Sequence, residues 1–144
     1  MGNPRDTYVI VTVDTCGIKT DSDGNKINTV KFSDNRGGRP GPGNRFKSKV
    51  DSGKEIHWIG IGWCSDPKES VVDVPVAITK ISIKEVQSEI LYYNEYLDNG
   101  TGVVIGAIKR KKNTKDPNPK TEKYTITIRV NGIEYPIDPQ LEMI

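Results

Sequence analysis

Along most of the chain, apolar and polar residues alternate rather than recur at helical spacing. Tyr8-Val9-Ile10-Val11-Thr12-Val13 is β-branched and apolar on both faces, the pattern of a strand covered on two sides. A short strand follows near Thr29 to Phe32. From Arg45 to Val50, Phe46, Ser48 and Val50 alternate with Arg45, Lys47 and Lys49, which predicts a half-buried strand. Asp51-Ser52-Gly53-Lys54 reads as a turn and Glu55 to Trp63 as the next strand. Gly60 and Gly62 inside that strand point to a bulge or to the close approach of another segment. Val71 to Glu85 is one long strand or two broken near Pro75, with Thr79, Ile81 and Ile83 on one face. Gly102 to Ile108 is a strand with apolar residues on both faces, and Lys109 to Lys123 a charged loop.

The clearest local signal comes near the end. Tyr124, Ile126, Ile128 and Val130 alternate with polar residues, Asn131-Gly132 follows, and then Ile133-Glu134-Tyr135-Pro136-Ile137. Asn-Gly between alternating runs predicts a hairpin with a type I′ turn, since both residues tolerate positive φ. Pro136 has no amide donor, which places the second strand at a sheet edge. The stretch 86–97 reads two ways. Val86, Ile90, Tyr93 and Leu97 sit at helical spacing, with Asn99-Gly100 as a helix end, so a short helix is expected. Yet Ile90, Tyr92, Asn94 and Tyr96 also alternate as a strand would. The expected fold is all-β, an antiparallel β-sandwich of about eight short strands with at most that one helix. With no internal repeat or boundary, residues 1–144 read as one domain.

Composition narrows the function classes. The chain has 144 residues, 34% hydrophobic and 28% charged, with 14 glycines and 9 prolines, which favours turns over long helices. No apolar run approaches the ~18 residues of a membrane helix. The opening Met-Gly-Asn-Pro-Arg-Asp has no apolar signal core, so a cytoplasmic protein with reduced Cys16 and Cys64 is expected. The net charge of +2 hides two basic stretches, one holding Arg36, Arg39, Arg45, Lys47 and Lys49, the other running from Lys109 to Lys123. Aromatic residues are 7% of the chain and none interleaves with the first basic loop. Base stacking has no platform there, and nucleic acid is not an expected partner.

Candidate chemistry is sparse. Asp21, Asp23 and Asn25 set oxygen ligands at alternate positions, but Phe32 stands where an EF-hand would need its glutamate. A calcium site drawn from loop carboxylates, including Asp66, is the remaining ion chemistry, and no other cofactor is expected. No Walker loop is present, since Gly53-Lys54 is followed by Glu55. His57 is the single histidine; with Cys64 it would make a dyad only through a sharp bend at Gly60 and Gly62, so it reads as a structural strand residue. Trp58 and Trp63, with loop carboxylates nearby in sequence, are the candidates for stacking on a sugar; core packing accounts for the same indoles.

Three stretches together resemble a known family. Tyr8-Val9-Ile10-Val11-Thr12-Val13-Asp14-Thr15, the strand-turn-strand Phe46 to Trp58, and the closing Tyr124 to Val130 with Tyr135-Pro136-Ile137-Asp138-Pro139 are similar in order and character to bacterial AidA/PixA-type inclusion body proteins. The resemblance implies a small cytoplasmic β-sandwich without established catalysis, associated with intracellular inclusions, and a calcium-dependent lectin-like role. This chain is shorter than the family pattern, and no sugar-site motif matches residue by residue, so no functional residue is carried over. The expected function is therefore non-enzymatic: self-association into a homo-oligomer through the strand edge at Ile133 to Ile137, or ligand binding by loops. The alternative is a carbohydrate-binding module, calcium-assisted, using Asp21, Asp23, Asn25, Trp58, Trp63 and Asp66. A small hydrolase ranks behind both.

Overall fold

The computed structural model describes residues 4–15, 30–37, 46–63, 75–84, 87–110 and 120–143. These carry eleven strands: β1 (Thr7–Asp14), β2 (Val30–Asp34), β3 (Lys47–Val50), β4 (Glu55–Trp63), β5 (Val76–Ser82), β6 (Glu95–Leu97), β7 (Val103–Ala107), β8 (Lys120–Lys123), β9 (Thr125–Val130), β10 (Ile133–Ile137) and β11 (Gln140–Met143). The strands form three sheets, in the orders β2-β1-β4-β7, β10-β9-β5-β6 and β3-β11-β8. The fold is an all-β sandwich, as the alternation predicts. Two of its pairings, β1 with β4 and β11 with β3, are parallel, so the first and third sheets are mixed rather than antiparallel throughout.

The core is one cluster drawn from all three sheets. Val9, Val11, Val13, Ile56 and Trp58 face Ile78, Ile81, Ile126 and Ile128, with Val50 and Leu141 from the third sheet. Trp58 is fully buried, and its indole Nε1 donates to the Tyr124 hydroxyl at 3.0 Å. Burial pushes that phenol well above its ordinary pKa, so it stays protonated, and only then can the indole's acceptor also act as a donor. The glycines in the first sheet mark close approaches. A Cβ on Gly60 would stand 2.7 Å from the Val76 carbonyl oxygen, and one on Gly106 would stand 2.9 Å from the Trp58 ring.

Three expectations need correction. β1 is not covered on both sides: its burial alternates, with Thr7, Val9, Val11 and Val13 inward and Tyr8 exposed. In β5 the register shifts between Ile78 and Lys80, so Val76 and Ile78 face inward before the bulge and Ile81 and Ile83 after it. Thr79 therefore does not share a face with Ile81 and Ile83. The described part of 86–97 contains no helix. Ser88 Oγ accepts from the amides of Ile90 and Leu91, Asn94 Oδ1 accepts from Ser88 N, and the buried Glu122 carboxylate accepts from Ser88 Oγ and Glu89 N. Side chains thus satisfy the backbone groups a helix would pair internally. Ile90 and Leu91 are both buried, whereas Tyr93 and Leu97, on the supposed helix face, are exposed.

The C-terminal hairpin forms as read. Asn131 and Gly132 have φ of 53° and 78°, and β10 lies at the sheet edge with Pro136 opposite Thr127. Among the described residues, no helix is long and apolar enough to cross a membrane.

Candidate functional site

The side chains of a strand alternate between faces, so the register of the first sheet dictates its outer surface. Ser33, Ile10, Ile59 and Val103 form one row across β2, β1, β4 and β7. Below it, Tyr8, His57 and Ile105 form a second. Above it stand Lys31, Thr12 and Ile61, with Trp63 closing the strand. Tyr8, Ile61, Trp63 and Ile105 are between 40% and 49% exposed. Ile10, Ile59 and Val103 between them are half-buried. The centre of this face carries no charge.

One end of the face is chemically different. Asp6 immediately precedes β1, and Glu55 and His57 are first and third in β4. Parallel pairing of β1 and β4 brings them together, so that one ligand atom from each lies within 4.8 Å of the others. Asp6 Oδ1 accepts the Glu55 amide at 2.9 Å, which fixes its carboxylate. The His57 ring stacks on Tyr8 with centroids 4.6 Å apart. Its Nε2 points toward Glu55 Oε1 at 3.9 Å and is buried with no hydrogen-bond partner.

Of the sequence-derived site residues, only Trp58 and Trp63 fall among the described residues. Asp21, Asp23, Asn25 and Asp66 lie outside the described residues, as do Cys16 and Cys64. Trp58 and Trp63 are five apart on one strand and point to opposite faces. Trp58 is a core side chain and cannot stack on a ligand, while Trp63 belongs to the outer face. Arg36 is not an open cation of the basic stretch either: its guanidinium meets Asp51 at 2.6 Å, and the two side chains are 10% and 14% exposed. That hydrogen bond, helped by the Arg5 amide, holds the Asp51 carboxyl below its usual range despite burial.

The sequence reading missed Asp6, Tyr8, Glu55, Ile61 and Ile105 as surface or site residues. The parity of β4 could have found two of them, Glu55 and Ile61, because Glu55, His57, Ile59, Ile61 and Trp63 fall on one face once Ile56 and Trp58 are assigned to the core. No protein-family model matches the chain, and no curated protein matches it in sequence.

Proposed function

We propose that the protein works by association rather than catalysis, using the outer face of its first sheet against a second copy of the chain. The observation that carries this reading is the uncharged row Ile10, Ile59 and Val103, bordered by the exposed Tyr8, Ile61, Trp63 and Ile105. A pleated apolar face is best buried by another such face, as the inner faces of the sandwich bury each other. The edge strand β10 is a weaker route. Pro136 offers no donor there, and Glu134 holds an ion pair with Arg129 at 2.8 Å. A homo-oligomer built face to face is in keeping with the resemblance to inclusion body proteins.

Sedimentation velocity over a wide concentration range, in buffer containing a chelator, tests the reading. The parent is expected to form dimers or larger species. The double variant Ile61→Lys, Ile105→Lys is expected to sediment as a monomer with an unchanged melting temperature. A parent that stays monomeric throughout would overturn the proposal.

Carbohydrate binding is the second reading, favoured by the half-exposed indole of Trp63 at the end of the same face. A glycan array probed with the parent and with Trp63→Ala decides it: signal lost in the variant supports the reading, and no signal in the parent removes it.

A further inference from the structure

The geometry points to a divalent transition-metal site formed by Asp6, Glu55 and His57. This inference stands apart from the association reading. Its ligand atoms belong to Asp6, Glu55 and His57, on which the association reading does not draw, so the two can hold or fail independently.

Two observations carry it. The first is convergence: an imidazole nitrogen and two carboxylates come within 4.8 Å of one another, although Asp6 is remote in sequence from the other two. The second is the state of His57 Nε2. It is buried without a hydrogen-bond partner, a state in which buried polar atoms are seldom left. It faces Glu55 Oε1 at 3.9 Å, too far for a hydrogen bond. That spacing suits two groups sharing a third. Zinc holds nitrogen and oxygen ligands at about 2.0–2.2 Å, which sets neighbouring ligands of a tetrahedral ion about 3.3 Å apart. The Glu55 side chain is 57% exposed, so a rotamer change closes the difference.

The supporting contacts are those a metal ligand needs. Stacking on Tyr8 fixes the plane of the imidazole, and the Glu55 amide orients the Asp6 carboxylate. The donor set also selects the ion. Calcium and magnesium take all-oxygen shells, whereas a mixed imidazole and carboxylate set suits zinc, cobalt or nickel. Three protein ligands leave at least one position for water or for a donor atom of a bound molecule.

The experiment uses the full chain stripped with a chelator and then dialysed. Zinc is titrated by calorimetry, and cobalt(II) is added for its visible spectrum. One zinc per chain is expected. Glu55→Gln and His57→Ala should each weaken binding by at least about tenfold, the least that losing even a supporting contact does at metal sites. Glu55 is exposed, so Glu55→Gln remains a fair test even if His57→Ala disturbs the Tyr8 stack. Cobalt should give visible bands without a sulfur charge-transfer band. Absence of zinc binding would overturn the proposal. So would binding that survives both substitutions, or a sulfur-to-cobalt band, which would place the ion on Cys16 and Cys64. Since the sedimentation test is run with chelator present, failure of the metal site and failure of association are read separately.

Discussion

The two outer faces of this sandwich are built from the same element and made for different surroundings. On the second sheet the outward residues include Lys80, Ser82, Thr125, Thr127, Arg129 and Glu134. Their charges are matched, Lys80 with Glu95 at 3.6 Å and Arg129 with Glu134 at 2.8 Å. On the first sheet the corresponding positions are Ile10, Ile59, Ile61, Val103 and Ile105. Both sheets pack an equally apolar inner face, so core requirements do not explain the contrast. The exposed apolar residues of the second sheet, Leu97 and Ile133, stand on its two edge strands, whereas those of the first run across its neighbouring strands. The proposed association draws on the strand face turned away from the core, not on the core itself.

Substitutions of graded severity can break or sharpen that contrast. The largest effect is expected from Trp58→Ala, behind the first sheet, at about 4 kcal/mol, because it empties a fully buried site and strands the Tyr124 hydroxyl. Chemical denaturation measures it. If Ile61→Lys cost as much, the outer face would be part of the core and the contrast would be false.

Next comes Asp51→Asn, at about 3 kcal/mol, since it leaves the Arg36 guanidinium largely buried without its counter-charge. Hydrogen exchange should show protection lost in β1 and β2 and kept in β9 and β10. The same pair predicts a pH response. The Asp51 carboxyl is held below its ordinary pKa by Arg36, so its contribution is complete above the usual aspartate range. It is lost as pH falls through the lowered value. The stability difference between parent and Asp51→Asn should therefore narrow on acidification, as denaturation at stepped pH would show.

Gly132→Val places a β-branched residue at φ 78° and should cost about 1–2 kcal/mol. Here protection should fall in β9 and β10 instead, the mirror image of the Asp51 result. The smallest stability effects, within about 0.5 kcal/mol, are expected from Ile61→Lys and Thr127→Lys on the two outer faces. They should differ only in sedimentation, where the first abolishes association and the second does nothing. Equal behaviour would erase the distinction between the faces.

What the sequence made legible was local. The hairpin at Asn131-Gly132 and the span of β4 could be read because turn chemistry and alternation lie within a few residues of each other. In the third sheet β3 could be read from its alternation, but β8 and β11 could not. β8 is Lys-Thr-Glu-Lys, with no apolar pattern, and becomes a strand because β11 pairs with it and Glu122 turns inward to Ser88 and Glu89. The stretch 86–97 misled because its spacing is helical while Ser88, Asn94 and Glu122 capture the backbone amides. At the candidate site, Glu55 and His57 went unpaired in the sequence reading although the parity of β4 sets them on one strand face. Asp6 could not be placed with them, because only the parallel alignment of β1 with β4 brings it there, and nothing local announces that alignment.

The place of β11 has a consequence for how the chain is made. It lies between β3 and β8, so each of those strands has it as the neighbour in its sheet. Residues 140–143 leave the ribosome long after 47–50. Until they do, β3 has no partner strand in its sheet among the described residues, and Ser48 and Val50 wait without the Leu141 and Met143 that will join them in the core. Folding of the sandwich can then be completed only after synthesis has passed this point, not progressively during it. A chain stalled shortly before residue 140 would present two unsatisfied strand edges to its neighbours on the same message, the condition under which nascent β-proteins aggregate.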